Sequence, residues 1–540
     1  MSLLWVPCRL RKKHPLSNEN RLSEATAGAV EADGQEAPVS RLLHLFLFAT
    51  SCVKDCRDSI RWKFVCGEQQ NSFFTMTKIP TAFLKQLWLT FGASLAFLII
   101  GLVRGYSASA IPSIESLDSS LIQNSEQKSW IGAIPPLGAF MGSICSGPLM
   151  QRAGRKRTLQ LTAPLWAASW LILGFAPNFS LILFGRIMSG LCVGFVLAPA
   201  QVYVSECCDP EIRGRLGSLP TLSMSMGILI SYVGGSWLYW RHLAFLSATF
   251  CAALFFVLLP LPESPVWLNA RGLDNTSAVK WLQLSQHAIA TVKEDHQEHN
   301  EKVEEPKSLF TREVFLSSAV IKPLIVGFAL LFFQQFSGID AVIFFTVEIF
   351  QSAESTLDAM AATIIVGAVQ LFSNGVSTML VDRAGRRPLL LLSAVTMCGS
   401  MLGMGAAFYF KFENESILGY LPIVSLVIFM LGFSLGFGGL PFLLLGELFP
   451  AHHRSQLSAM ASAVNLLSMF TVIKSYHALE HVLTSAGTFW MYACFCAIAF
   501  FFVLFMVPET KGKSLAEIEQ HFRGKKKRNE MDLKSVQTKF

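Results

Sequence analysis

Between residues 86 and 507 the chain alternates runs of about 20 apolar residues with short polar breaks, each run near the length a helix needs to cross a bilayer. Twelve runs are legible, at 86–106, 129–149, 158–176, 181–204, 218–238 and 242–261, then at 319–346, 359–380, 388–410, 420–445, 456–477 and 485–507. The pattern predicts an all-α membrane protein with twelve transmembrane helices in two six-helix bundles. It divides the chain into an N-terminal extension over 1–82, a bundle over 83–261, a linker over 262–318, a second bundle over 319–507 and a tail over 508–540.

The extension is polar and charged and is expected to be disordered and cytoplasmic. Its one apolar run, Leu42 to Val53, is about half a spanning helix. That run fits the core of an uncleaved signal, an interfacial patch, or a segment absent from the working protein, since Met76 stands just ahead of the first span.

Composition agrees with the pattern: 52% of residues are hydrophobic and 15% charged, against about 25% charged in soluble domains. Cys145, Cys192, Cys251, Cys398, Cys494 and Cys496 lie inside apolar runs, as small hydrophobes do, and outline no disulfide framework. The formal charge of +7 does not point to nucleic acid, because the cations gather in short loops. Arg152, Arg155, Lys156 and Arg157 follow the second span, Arg213 and Arg215 the fourth, Arg383, Arg386 and Arg387 the eighth, and Arg454 the tenth. These loops and both termini are therefore expected in the cytoplasm. The opposite loops carry Glu115, Asp118, Glu354, Asp358, Glu413 and Glu415, and Asn414 heads a glycosylation sequon there. No metal cluster, nucleophile constellation or nucleotide loop argues for an enzyme or a cofactor, and His452–His453 reads as a solvated loop pair.

The two halves repeat one another. Gln151-Arg-Ala-Gly-Arg155 after span two matches Asp382-Arg-Ala-Gly-Arg386 after span eight. Glu206 ahead of Arg213 matches Glu447 ahead of Arg454, and Pro262-Glu-Ser-Pro265 matches Pro508-Glu-Thr-Lys511. Three pairs in register make the bundles pseudo-symmetric copies. Arg-Ala-Gly-Arg beside a carboxylate suits a latch, since glycine permits a tight turn and the arginine fork grips carboxylates. Glu206 with Arg213 and Glu447 with Arg454 supply candidate partners. The alternative is that the basic loops merely hold topology.

The apolar segment Phe332–Phe350 is interrupted by Gln334, Gln335, Ser337 and Asp340. Polar groups at that depth cost several kcal/mol unless they find partners or line a wet path. They are read as a substrate path, with interhelical glue as the alternative. On a continuous helix Gln334, Ser337 and Gly338 share one stripe. Gly436-Phe-Gly-Gly-Leu-Pro441 in span ten and Pro135–Pro136 in span two predict bends.

Gly185–Arg186, Glu206 with Arg213–Gly214, Pro262-Glu-Ser-Pro265, Gln334-Gln-Phe-Ser-Gly-Ile-Asp340, Asp382-Arg-Ala-Gly-Arg-Arg387 and Pro508-Glu-Thr-Lys-Gly512 resemble the sugar porter family of the major facilitator superfamily. Within it, Ala341–Phe350 is most similar to the insect facilitated trehalose transporters. The resemblance implies a sugar held between the bundles near the bilayer midplane and exposed alternately to either side. It implies that Gln334 and Gln335 hydrogen-bond the sugar, for which amides suit with two donors and an acceptor. Asp340 stands where the family usually has Asn, and Gln370 where hexose carriers often have Asn. Of the arginines, it adds Arg186 to the gating set of Arg152, Arg155, Arg213, Arg383, Arg386 and Arg454 with Glu206, Asp382 and Glu447.

The departures bear on substrate and coupling. Proton-coupled members carry an acid in span one, where this chain reads Arg104-Gly-Tyr-Ser107. Phe442, Leu466 and Thr221 replace two tryptophans and a glutamine of hexose carriers, and Gln151 replaces the acid of the first basic loop. Arg104 and Asp340 are both charges where relatives are neutral, and a compensating ion pair between spans one and seven is one expectation; the other is that Arg104 snorkels outward and Asp340 sits in water. The expected function is facilitative transport of trehalose or a related small sugar by a monomer in the plasma membrane. The alternatives are a non-transporting sugar sensor and a proton-coupled hexose symporter.

Overall fold

The computed structural model describes residues 81–285, 318–353, 357–410, 417–449 and 454–511, with residues 517 and 522. The extension up to residue 80, the linker from 286 to 317, Asn414, and the tail beyond 511 apart from residues 517 and 522 lie outside the described residues. In the first half, α1 (Thr81–Leu117), α2 (Ser125–Ala153), α3 (Arg155–Gly174), α4 (Phe179–Cys207), α5 (Pro210–Trp237) and α6 (Trp240–Leu258) follow one another as six spans. Two short helices that hydropathy alone does not predict, α7 (Pro265–Ala270) and α8 (Thr276–Leu282), open the linker.

The second half is more broken. Span seven is α9 (Ser318–Phe336) and α10 (Ile339–Ser352), followed by α11 (Ala359–Ala384) and α12 (Arg386–Phe410). Span ten is α13 (Leu421–Leu435) and α14 (Leu440–Leu448). The last two spans run together in α15 (Arg454–Met506), divided at Thr484, where φ is 67°. Ten described segments are long and apolar enough to cross a membrane. Adding α3, which opens on three cations, and dividing α15 at Thr484 gives the twelve expected.

The first span outruns its expected end at 106 because its later polar residues face neighbouring helices and not lipid. Ser107 and Ser109 are buried, Ser109 Oγ reaches Ser231 O at 3.4 Å, and the Tyr106 hydroxyl donates to Trp240 O at 3.0 Å. Within the first half α1 packs chiefly on α5 and α2 on α4. Both seams need glycine. A Cβ at Gly101 would stand 2.0 Å from Met224 O and one at Gly227 2.0 Å from Leu98 O, so α1 and α5 touch backbone to backbone. Pro135 and Pro136 stay inside an unbroken α2, and the Pro135 carbonyl lies where a Cβ at Gly190 would be, 2.1 Å away. The bend predicted there is absent as a helix break.

The halves meet where α2 packs on α15, α5 on α11 and α1 on α10. Among the described residues, the polar contacts across this seam lie at mid-helix or nearer the end remote from the basic loops: Arg104 to Asp340, Lys128 to Glu348, Tyr232 to Ile343, Asn374 to Ser225 and Lys474 to Glu126. At the basic end the described ion pairs stay within one half.

Gly227→Ala should force α1 and α5 apart and cost about 1–3 kcal/mol, whereas Gly147→Ala, with nothing within 4 Å of the added methyl, should be near neutral. Thermal unfolding of the two variants in detergent checks this; equal midpoints would refute the backbone seam.

Candidate functional site

The Gln-Gln-Phe-Ser-Gly stretch does not continue as one helix. α9 stops at Phe336, and Gly338 takes φ 89°, a left-handed turn that glycine adopts without strain. A side chain there would also strike the Tyr492 ring, 2.7 Å from the Cβ position. Gln334, Ser337 and Gly338 therefore do not form the continuous stripe expected on one helix. The break gives α10 a new N-terminus, and Asp340 sits in its first turn, where free N–H groups and the helix dipole favour a carboxylate. Asp340 is fully buried, and Arg104 Nη2 of α1 donates to its Oδ1. The expected pair forms, across the two halves. Asp340 Oδ2 and Arg104 Nε have no hydrogen-bond partner among the described residues.

The two neighbouring amides take different roles. Span ten breaks at Gly436, whose backbone leaves the helix at φ −133° and ψ −78° and where a Cβ would meet Ser393 Cβ at 2.5 Å, and the break leaves the Phe437 and Gly438 carbonyls outside any helical ladder. Gln334 Nε2 donates to Phe437 O at 2.6 Å, while Gln334 Oε1 accepts from Asn465 Nδ2 at 2.9 Å. Gln334 thus ties spans seven, ten and eleven together. Gln335, also 4% exposed, keeps a buried Oε1 with no hydrogen-bond partner among the described residues. Gln370 is buried on α11, one turn from Asn374, which donates to Ser225 Oγ at 2.5 Å. Thr221 lies one turn from Ser225 towards the basic end and is exposed, and Phe442, in the first turn of α14, is 42% exposed. Asn465, which holds the Gln334 oxygen, was not singled out by the sequence reading; its signal was a lone amide within an apolar run.

At the basic end the repeat acquires a physical account. Gly154 and Gly385 take φ of 94° and 91° between consecutive helices. Into each turn comes a carboxylate from about 110 or 120 residues later in the chain: Glu263 Oε1 accepts from the N–H groups of Arg155 (2.8 Å) and Lys156 (2.9 Å), and Glu509 from those of Arg386 (3.1 Å) and Arg387 (3.0 Å). A Cβ at Gly154 would lie 2.5 Å from Glu263, so glycine is needed there for space as well as for φ. Arg155 pairs with Glu206 at 2.8 Å and Arg386 with Glu447 at 3.1 Å. Ser264 and Thr510 hydroxyls donate to the other oxygen of Glu206 and Glu447, each at 2.5 Å.

Other members of the expected latch are placed differently. Arg213 donates to Cys208 O at 3.3 Å, Arg152 is exposed with no ion pair among the described residues, and Arg383 gives its carbonyl to Lys511 Nζ at 2.6 Å. The side chains of Asp382 and Arg454 lie outside the described residues. Arg186 does not belong at this end at all. It lies about 20 residues, or roughly 30 Å of helix, from Glu206, fully buried, donating to Ile131 O (3.1 Å), Val103 O (3.1 Å) and Ser107 Oγ (2.5 Å). The motif located it in α4 but not in depth.

Burial raises the pKa of Glu509, but the four backbone N–H groups of Lys511, Arg386, Arg387 and Thr510 outweigh it and hold the carboxyl below its ordinary value. Since the folded value is the lower one, its contribution is present above the unfolded value and fades as pH falls through the folded one. The loss of melting temperature in Glu509→Gln should be full above about pH 5 and shrink below about pH 4; a pH-independent difference would show that charge is not what caps α12. For the central pair, Arg104→Ala strands Asp340 and should cost about 3–5 kcal/mol, whereas Arg104→Met with Asp340→Leu should recover much of the loss. Melting curves of the single and double variants decide; a double variant no better than the singles would show the two charges uncoupled.

A family model described as "Sugar (and other) transporter" matches residues 89–522. The facilitated trehalose transporter Tret1 of Anopheles gambiae is 36% identical over 467 residues, 86% of this chain and 59% of that protein. Tret1 of Culex quinquefasciatus is 36% identical over 448 residues, covering 82% and 87%, and the Tret1-2 homolog of Drosophila simulans 37% over 445 residues, covering 82% and 91%. Against the longer relatives, such as the Anopheles protein, the chain spans about six tenths of their length. Among solved structures, the inward open conformation of the xylose transporter XylE from E. coli superposes with a TM-score of 0.67 at 23% identity, over 80% of this chain and 98% of that one. The proton:xylose symporter XylE bound to 6-bromo-6-deoxy-D-glucose gives 0.68 at 24%, over 82% and 100%. Both show the major facilitator fold.

Proposed function

The chain belongs to the sugar transporter family, and from that premise we propose that it is a facilitative carrier, a uniporter working by alternating access on trehalose or a related small sugar. The observation that carries the reading is the set of buried polar atoms with no partner among the described residues around the break in span seven, Gln335 Oε1 and Asp340 Oδ2 above all, at the seam between the halves. A neutral polyol brings hydroxyl donors to such acceptors. Gln335, Asp340 and Gln370 contact the sugar. Gln334 positions spans seven and ten behind them, and Thr221 and Phe442 flank the path towards the basic end. The trehalose transporters among its relatives support the choice of sugar.

Uniport is supported by the surroundings of Arg186. Its described hydrogen-bond partners are two carbonyls and the Ser107 hydroxyl, and it faces the Tyr106 ring; none of these exchanges a proton near neutral pH. Asp340, the acid nearest the sugar site, is engaged by Arg104. The basic end faces the cytoplasm with both termini, in keeping with the charge of its loops, and the protein works as a monomer in the plasma membrane, with Asn414 glycosylated outside. The Arg155–Glu206 and Arg386–Glu447 pairs brace the cytoplasmic end of each half.

Labelled trehalose should overshoot in proteoliposomes preloaded with trehalose, at equal pH on both sides, and not in those preloaded with glucose. Gln335→Ala should reduce the counterflow rate about tenfold. No overshoot with either sugar would sink the trehalose reading, and an overshoot that needs a pH gradient would sink uniport.

A further inference from the structure

The carrier reading leaves unexplained a group of charges at the end remote from the basic loops. Lys128 Nζ on α2 lies 2.5 Å from Glu115 Oε1 on α1 and 3.3 Å from Glu348 Oε1 on α10. His477 Nε2 on α15 lies 3.2 Å from the same Glu348 oxygen. Beside them Lys474 Nζ is 3.6 Å from Glu126 Oε1 and 4.6 Å above the Trp130 ring, and that ring lies 6.2 Å from Phe470. Lys128, Glu115, Glu126 and Trp130 belong to the first half; Glu348, Phe470, Lys474 and His477 belong to the second.

We propose that the Lys128–Glu348 ion pair is the gate that closes the two halves at this end, and that Glu115 and His477 are reserve partners that let it open. The proposal rests on the carrier reading. Its geometry differs from that of the basic end, where the described ion pairs are internal to one half and cannot resist separation of the halves. Lys128–Glu348 crosses the seam, and both side chains are about four-fifths sheltered, so solvent screens the pair less than a surface one. Of the ion pairs that Lys128 and Glu348 make, parting the halves breaks only the one between them. Lys128 leaves with Glu115, and Glu348 leaves with His477, so neither charge is stranded. A buried pair without such alternatives opens at far greater cost. The Lys474–Glu126 contact reinforces the closed state weakly, because Glu126 is 76% exposed.

The arrangement makes two variants act in opposite directions. Lys128→Met removes the crossing bond and should favour opening at this end. Glu115→Gln removes a reserve partner, leaves the crossing bond, and should favour closure. The readout is the rate at which a membrane-impermeant maleimide, applied to the face remote from the basic loops, labels a cysteine in place of Thr346, which is fully buried behind the gate. Labelling is measured above the background of the parent chain and needs no sugar, so it stands or fails independently of the substrate. Relative to Thr346→Cys alone, labelling should quicken about two- to fivefold with Lys128→Met and slow by a similar factor with Glu115→Gln. Glu348→Gln serves if Lys128→Met does not purify as a monodisperse protein, and should also quicken labelling. Rates that move in the same direction for the two kinds of variant, or do not move, would overturn the proposal and leave the cluster as a fixed staple of the fold.

Discussion

A carboxylate with no exposed surface, in the middle of an apolar bundle, needs a cation beside it, and Asp340 takes its cation from the other half of the molecule. Much of the centre follows from that constraint. The left-handed turn at Gly338 starts α10 just before Asp340, so the helix end contributes its own positive field to the same carboxylate. Arg104 must then approach from α1, which brings α1 and α10 together along the seam. The same break in the helix leaves Gln335 with an acceptor facing no described partner. One turn of backbone thus joins the halves and exposes the chemistry between them.

The two ends use charge in contrasting ways. At the basic end one carboxylate of each half, Glu263 or Glu509, caps a helix N-terminus, and a second, Glu206 or Glu447, is shared between an arginine and a hydroxyl, which makes each half's end a rigid block. At the far end two ion pairs, Lys128–Glu348 and Lys474–Glu126, reach across. Rigid blocks joined at one end are what a rocking motion between two bundles requires.

The spans were legible because bilayer thickness imposes one length on every helix, and the duplicated loops because copying leaves matched residues in register. What escaped the sequence depended on return paths through space. Glu263 and Glu509 stood out as a matched pair, but nothing local says that they cap helices begun 108 and 123 residues earlier. Glu206 has Arg213 close in sequence, yet the folded chain brings it Arg155. Gln334 and Gln335 are chemically identical neighbours; the positions of the Phe437 carbonyl and the Asn465 amide separate a tie from an acceptor with no described partner. The far-end gate had a readable trace in Lys474 and His477, two ionisable residues inside an apolar run, which no motif had claimed.

The cap on α12 also redraws where the protein ends as a folded object. By hydropathy the second bundle stops at 507, which makes everything after it look like a detachable tail. Glu509 and Thr510 nevertheless complete the second half's basic end just as Glu263 and Ser264 complete the first, and Lys511 fastens the Arg383 carbonyl. A reporter joined directly after residue 507 would sever that end, while a junction after residue 511 leaves these contacts whole. Phe522 carries the fold further still, buried against the core with its carbonyl accepting from Lys322 Nζ at 3.5 Å, so the boundary for engineering this chain lies well beyond the end of the twelfth span.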